Sequence, residues 1–137
     1  MRRLLIADRR NEQVAQLKNM LREPDLELVI PETVEDLLRE VLKNGARVVL
    51  LGSDLDGFSP AKLVTLMNKC DVGVQIILLF DDISLESLRK MRQEGIFYQL
   101  SQPWDEDELQ LAIKCAFSKV QVEDRGKIRR ILPNPIA

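Results

Sequence analysis

The chain has 137 residues, 45% hydrophobic and 31% charged, the balance of one globular domain with its own core. Its net charge of −2, from 20 basic and 22 acidic residues, argues against a nucleic-acid-binding domain, which is usually clearly basic. Because the chain contains no histidine, Ser/His and Cys/His catalysis, histidine-ligated zinc and a phosphohistidine carrier are all excluded.

The cysteines and the N-terminal region indicate a cytoplasmic protein. Cys70 and Cys115 are far apart and form no C-x-x-C pattern, so we expect buried thiols in a reducing compartment. The apolar run near the start covers only residues 4–7. A signal peptide needs about 7 to 15 apolar residues, and a membrane helix needs about 20.

Short apolar runs alternate with helical patterns along the chain. The runs predict five strands, at residues 4–7, 26–30, 48–51, 74–80 and 96–100. Thr33, Ser59 and Asp105 precede three of the five helical patterns and are typical N-cap residues.

Two of these helices have apolar faces that can be predicted from spacing. The second helix is expected to bury Val34, Leu37, Leu38, Val41 and Leu42. The fourth helix is expected to turn Leu85, Leu88 and Met91 inward.

The end of the chain changes character after residue 120. Its charges are mostly basic, and Pro133 and Pro135 forbid a continuing helix. We therefore predict one domain at residues 1–120, with residues 121–137 as the end of the last helix and then a linker or free tail.

Alternation of five strands with five helices predicts a doubly wound α/β domain. Its parallel sheet is covered on both faces, and the expected strand order is the flavodoxin-like 2-1-3-4-5. Ligand and catalytic groups of such sheets gather beyond the carboxyl ends of the strands. In this chain those loops carry Asp8, Gly52, Asp54, Phe80 and Gln102.

Four segments resemble the receiver domain of bacterial two-component response regulators, in register over residues 3–120. They read LLIADRRNEQ, VVLLGSDLDGFSPAKL, QIILLFDD and YQLSQPWDEDELQLAI. In that family two neighbouring acids and an acceptor aspartate hold Mg²⁺, and a lysine and a Thr or Ser contact the phosphoryl group. The resemblance therefore implies a phosphorelay signalling domain with a defined set of site residues.

Most of those site residues are replaced in this chain. Asp8 matches the first acid, whereas Arg9 stands at the second acid and opposes a cation. Gly52 stands at the phosphoacceptor position, Phe80 at the Thr/Ser position and Gln102 at the lysine position. The resemblance thus implies a pseudo-receiver that is not an enzyme, with Mg²⁺ binding lost or weak.

Two further expectations follow from the same resemblance. Gln99 stands where the family places a switch aromatic, and the bond between Gln102 and Pro103 is expected to be cis. Because most charged residues of the family's site are replaced here, we expect Arg9 to pair with Asp8 or Asp54. We expect Asp8 to pair with Arg9 or Arg10.

Receivers commonly dimerise or dock through the face formed by the fourth helix, fifth strand and fifth helix. We therefore expect a protein partner, an output domain or a homodimer at that face, and no contact with membranes or nucleic acid. The exposed candidates there are Arg89, Lys90, Gln93, Gln110 and Lys114.

Alternatives remain open from the residues alone. A metal-dependent phosphoacceptor could use Asp54 or Asp56, although D-x-D-G also suits a tight turn. Asp81 and Asp82 fit a helix start or metal ligands. A nucleotide- or flavin-binding enzyme has less support, because neither G-x-G-x-x-G nor G-x-x-x-x-G-K-[ST] occurs.

Overall fold

The computed structural model describes residues 2–43, 45–71, 73–79 and 83–131, with only the backbone for residues 121–131. Strands and helices alternate along these residues, as predicted. The elements are β1 (Arg2–Ala7), α1 (Asn11–Met20), β2 (Leu26–Val29), α2 (Val34–Leu42), β3 (Val48–Leu51), α3 (Pro60–Cys70), β4 (Gln75–Leu78), α4 (Leu85–Glu94), β5 (Tyr98–Gln99) and α5 (Glu106–Ile131).

The five strands form one parallel sheet in the order β2-β1-β3-β4-β5, which confirms the predicted topology. The central strand β3 reads VVLL, and all four of its residues are fully buried. A continuous apolar run of this kind is what a parallel strand needs when helices cover both of its faces.

Two apolar layers hold the helices against the sheet. Val48 and Leu50 face the layer that includes residues of α1 and α5, whereas Val49 and Leu51 face the layer that includes residues of α2, α3 and α4. Side chains alternate between the faces of a strand, so β3 contributes to both layers. This arrangement leaves the carboxyl ends of β1 and β3 side by side.

The predicted N-caps are confirmed. The side chain of Thr33 accepts from the backbone N–H of Asp36 at 3.1 Å, and that of Ser59 accepts from Lys62 at 3.2 Å. Asp105 accepts at 2.9 Å from the backbone N–H of residue 107. Each cap satisfies backbone donors that the first turn of a helix leaves without partners.

The predicted strands at 74–80 and 96–100 are longer than the observed β4 and β5. Backbone hydrogen bonds flank β5, from Phe97 to the carbonyl of Ile76 at 2.7 Å and from Leu100 to that of Leu78 at 2.9 Å. The hydrogen bonding between the β4 and β5 segments therefore extends past the residues assigned to the two strands. Phe80 lies outside the described residues.

Three predictions of burial were wrong. Leu42 and Leu85 are 60% and 63% exposed, and Cys115 is exposed as well. Leu42 lies about 100° around the helix from the buried Val41, and Cys115 lies about 100° from the buried Ala116. Both side chains therefore point outside the buried face of their helix. Leu85 is the first residue of α4 and lies well before Met91, the buried residue of that helix.

Cys70 is only partly buried, so the expected burial of both thiols does not hold. The helix α5 continues to Ile131, so the end of the last helix lies within residues 121–137, where it was predicted. Pro133 and Pro135 lie outside the described residues. Within the described part of the chain, no helix has both the length and the apolar character needed to cross a membrane.

Candidate functional site

The sheet register places the ends of β1 and β3 together. Ala7 is paired with Leu51, and the backbone N–H of Gly52 donates to the carbonyl of Ala7 at 2.9 Å. Asp8 and Gly52 are the next residues along these two strands. They are therefore neighbours at the carboxyl edge of the sheet, as the sequence predicted.

Asp8 is a buried carboxylate held by one arginine. Its side chain is 0% exposed. Its Oδ1 accepts from the backbone N–H of Arg10 at 2.9 Å and from Nε at 3.1 Å, and its Oδ2 accepts from Nη2 at 3.2 Å. Nη2 of Arg10 also donates to the carbonyl of Gly52. The guanidinium thus bridges β1 and β3 and neutralises the buried charge, which would otherwise be costly.

The same arrangement leaves room only for a glycine at position 52. A Cβ placed on Gly52 would lie 2.8 Å from Cγ of Asp8 and 3.2 Å from its Cβ. Carbon atoms in van der Waals contact are about 3.5 to 4.0 Å apart. The carboxylate of Asp8 therefore occupies the space in which a side chain at position 52 would begin.

Arg9 makes a second, more exposed network. Its Nε donates to Oδ1 of Asp54 at 2.8 Å, and its backbone N–H donates to Oγ of Ser53 at 2.9 Å. The hydrogen bond from Arg9 lowers the pKa of Asp54, and the same bond raises the pKa of Arg9. Because both side chains are largely exposed, this ion pair contributes little to stability.

Asp56 lies in the turn that follows β3. It adopts a φ of 55°, next to Gly57 with a φ of 80°, and Leu55 and Phe58 form an isolated bridge around this turn. The Oδ2 of Asp56 accepts from the backbone N–H of Val34 at 3.4 Å. Asp56 thus connects the turn to the start of α2.

The described residues at this edge do not fit Mg²⁺. That ion requires several oxygen ligands in octahedral geometry. Among the described residues, no cluster of three or more His, Cys, Asp or Glu side chains could hold a metal. Both oxygens of Asp8 accept from Arg10, and the cationic Arg9 follows it in the chain. Asp81 and Asp82 lie outside the described residues, so the alternatives for them stay open.

Gln102 and Pro103 are exposed in the loop before α5, and the peptide bond between them is cis. Trp104, the next residue, is only 6% exposed and belongs to the apolar layer under α1 and α5. Gln102 and Trp104 line a cleft against the first turns of α1. This loop therefore connects the carboxyl edge of the sheet to α1.

From the sequence, Arg9 could pair with Asp8 or Asp54, and Asp8 could pair with Arg9 or Arg10. The structure assigns Arg10 to Asp8 and Asp54 to Arg9. Two roles were not predicted, namely the contact of Arg10 with Gly52 and the hydrogen bonds of Ser53. The run Asp8-Arg9-Arg10 was the available signal, because it places two cations directly after the buried carboxylate.

The face formed by α4, β5 and α5 combines polar contacts with exposed apolar surface. The hydroxyl of Tyr98 donates to Glu108 at 2.9 Å, and Arg92 donates to Gln99 at 3.4 Å. Leu111 lies three residues after Glu108, on the same side of α5, and is 63% exposed.

The residues predicted for that face do not all lie there. Arg89, Lys90 and Gln93 of α4 are exposed, as is Lys114 of α5. Gln110 is partly buried, and its Nε2 donates to the carbonyl of Met20 at 3.1 Å. Gln110 thus faces the end of α1, away from β5, and Lys114 lies one helical turn further on.

No protein-family model matches the sequence, and no curated protein matches it. Solved structures do match. One is the signal receiver domain of an HD domain-containing protein from Pseudomonas fluorescens Pf-5, with a TM-score of 0.82 and 23% identity over 90% of this chain and 92% of that chain. Another is a CheY-like response regulator receiver domain from Methanospirillum hungatei JF-1, with a TM-score of 0.79 and 20% identity over 90% and 98%.

A third match is NtrX from Brucella abortus in complex with ADP, with a TM-score of 0.79 and 15% identity. It covers 99% of this chain but 32% of the NtrX chain. The chain described above therefore has the receiver fold, a five-stranded parallel sheet of the flavodoxin-like type with five helices.

Proposed function

We propose that this receiver-fold chain is a signalling domain of a response regulator that is not phosphorylated on aspartate and acts by contact with proteins. The observation that carries the proposal is the position of the Asp8 carboxylate, which fills the space next to Gly52 where an acceptor side chain would begin. The receiver domains among its structural neighbours support the signalling role.

Phosphoryl transfer to a carboxylate needs a nucleophile and positive charge placed where the transferred oxygens gather. Here position 52 has no side chain, and the guanidinium of Arg10 is already bonded to Asp8 and to the carbonyl of Gly52. A phosphoryl group and Mg²⁺ would have to displace that contact. We therefore expect no phosphorylation at this edge and no bound Mg²⁺.

The network also suggests how the domain can signal without phosphate. The charges of Asp8 and Arg10 satisfy each other without any added ligand, and the same guanidinium joins β1 to β3. A network that is complete on its own favours a single arrangement of the neighbouring loops. The domain would then act as a constant docking unit whose regulation comes from its partner.

We place the docking surface at the face of α4, β5 and α5, with a protein partner, an output domain or a second copy of this chain. Leu111 and Tyr98 are exposed there, at 63% and 42%. Exposed apolar and aromatic side chains of this kind supply the anchoring contacts of many interfaces. By analogy with receivers, the expected location is the cytoplasm and the domain has no catalytic role.

A phosphorylation assay tests the first part of the proposal. The protein is incubated with acetyl phosphate and Mg²⁺ and its intact mass is measured, while beryllofluoride with Mg²⁺ is titrated and followed by NMR. We expect neither a mass increase nor saturable binding. If either occurs in the wild type and is lost in Asp54→Asn or Asp56→Asn, the metal-dependent phosphoacceptor is correct instead.

A pair of leucine variants tests the docking face. Leu111 on α5 and Leu42 on α2 have nearly equal exposure, 63% and 60%, but lie on different faces. We expect self-association in sedimentation velocity experiments to be weakened by Leu111→Glu and unchanged by Leu42→Glu. A monomeric wild type at all concentrations would reject the homodimer, and equal effects of the two variants would reject this face.

A further inference from the structure

The side of α5 that faces away from the core carries an exposed strip of residues. Gln110 marks one border of this side, since it donates to the carbonyl of Met20 in α1. Tyr98 marks the other border, since its hydroxyl donates to the first turn of α5. The exposed residues between these borders are three or four positions apart and therefore share one side of the helix. This α5 strip consists of Asp107, Glu108, Leu111, Lys114, Cys115 and Lys119.

The charges of the α5 strip are separated by sign. Asp107 and Glu108 lie in the first turn of the helix, and the two lysines follow later. No base occurs at positions 105–113, and no acid occurs at positions 109–120. Leu111, which is 63% exposed, and the exposed Cys115 lie near the middle. The strip thus has an acidic end, a basic end and an uncharged pair of side chains between them.

We infer that a second copy of this chain docks on the α5 strip, with the two α5 helices antiparallel. The inference rests on the proposed function, because it specifies the occupant of the docking face. Antiparallel packing places the acidic end of each strip beside the basic end of the other. Parallel packing would bring like charges together at both ends, which is unfavourable. A partner with charges of one sign would match only one end of the strip.

The positions of the residues also define the register of the two helices. Residue 113 is midway between Leu111 and Cys115, and midway between Asp107 and Lys119. A twofold axis at this position makes Leu111 of each copy face Cys115 of the other, and each contact occurs twice. One helix from each copy forms a small contact, so we expect a weak, concentration-dependent dimer.

Disulfide crosslinking measures this register. Facing residues of two helices whose axes are about 8 to 10 Å apart have Cα atoms about 4 to 6 Å apart. A disulfide joins Cα atoms that are roughly 4.4 to 6.8 Å apart. The two Cys115 residues would be offset by about 6 Å along the helix axis, which separates their Cα atoms by about 7 to 8 Å. The register therefore allows a link between positions 111 and 115 but not between the two native thiols.

We expect oxidised Leu111→Cys to form a dimer linked between positions 111 and 115. The wild type should give at most about a tenth of that yield, because its thiols are out of range. Leu42→Cys is the matched control, since Leu42 is 60% exposed and lies on α2. It should add no link to Cys115. Non-reducing electrophoresis measures the dimer. Trypsin cleaves after Lys114, so mass spectrometry of the peptides identifies the linked pair.

A charge exchange tests the antiparallel direction without cysteine chemistry. Asp107 and Lys114 are seven positions apart and lie on the same side of the helix. In the antiparallel register Asp107 of one copy is therefore near Lys114 of the other. Asp107→Lys and Lys114→Glu should each weaken the dimer about fivefold, because an exposed ion pair is replaced twice by repulsion. The double variant should restore the wild-type affinity in sedimentation velocity experiments.

Four results would overturn the inference. A wild type that stays monomeric at all concentrations removes the second copy, and equal crosslinking of Leu42→Cys and Leu111→Cys shows random collision. A main link between two Cys115 residues, or a double charge variant no better than the single ones, rejects the antiparallel register. These last two results leave the docking face of the proposed function intact. That face fails instead if Leu111→Glu and Leu42→Glu have equal effects on self-association.

Discussion

Replacing Gly52 with alanine tests whether Asp8 occupies the space at the end of β3. The φ of Gly52 is not in the left-handed region, which contains Gly45, Gly57 and Gly95, so alanine meets no backbone strain there. Its Cβ would lie 2.8 Å from Cγ of Asp8, about 0.7 to 1.2 Å closer than ordinary carbon contact. Asp8 must therefore move, although Arg10 binds both of its oxygens.

We expect Gly52→Ala to lower the free energy of unfolding by about 1 to 3 kcal/mol, the usual cost of overpacking. For a domain of this size, the melting temperature should fall by roughly 3 to 10 °C. Urea unfolding followed by the fluorescence of Trp104 measures the free energy, and circular dichroism measures the melting temperature.

A double-mutant cycle identifies the cause. In an Asp8→Ala background the carboxylate is gone and only Cβ of residue 8 remains close, at 3.2 Å, while the half-exposed Arg10 can be hydrated. Gly52→Ala should therefore cost clearly less in this background than in the wild type. Gly57→Ala is the control, since no atom lies within 4 Å of its added Cβ and its cost comes from the φ of 80°. That cost should be equal in both backgrounds. An equal cost of Gly52→Ala in both backgrounds would refute the steric explanation.

Three further predictions concern the charges, the metal and a helix cap. The bond from Arg9 holds the pKa of Asp54 below its ordinary 3.8, so the ion pair stabilises the fold above that pH and loses its effect as pH falls through the lowered pKa. An NMR titration should find a higher pKa for Asp54 in Arg9→Gln, and an unchanged value would contradict the assignment. Millimolar Mg²⁺ should leave the melting temperature unchanged, because a cation that does not bind the folded state adds no stabilisation by mass action. A clear rise would show that the site does bind Mg²⁺. Thr33→Ala should cost about 1 kcal/mol in urea unfolding, whereas no loss would show that Asp56, which accepts from Val34, carries the cap alone.

The burial pattern of the strands could be predicted from the sequence because it is local. The inner strands β1, β3 and β4 are largely buried and therefore read as apolar runs. Each cap residue acts within three positions of itself. The strand order 2-1-3-4-5 followed from the alternation of strands and helices. The ends of β4 and β5 did not, since they depend on where the neighbouring strand stops.

Residues at helix edges show the limit of periodicity. Leu42 and Leu85 fit an apolar spacing but are exposed, because the width of the packed stripe depends on the neighbouring elements. Gln110 was expected near β5 and instead donates to the carbonyl of Met20. Which side of α5 faces α1 is decided by the packing of two helices 90 residues apart in the chain.

The sequence by itself determined that position 52 carries no side chain and that an arginine follows Asp8. It left open which charges pair, because Arg9 and Arg10 are adjacent and differ only in the direction of their side chains. Only the tertiary structure decided this, since the register of β1 against β3 places the carbonyl of Gly52 within reach of Arg10. It also brought Gln13 and Trp104, distant in the chain, to the lining of one cleft.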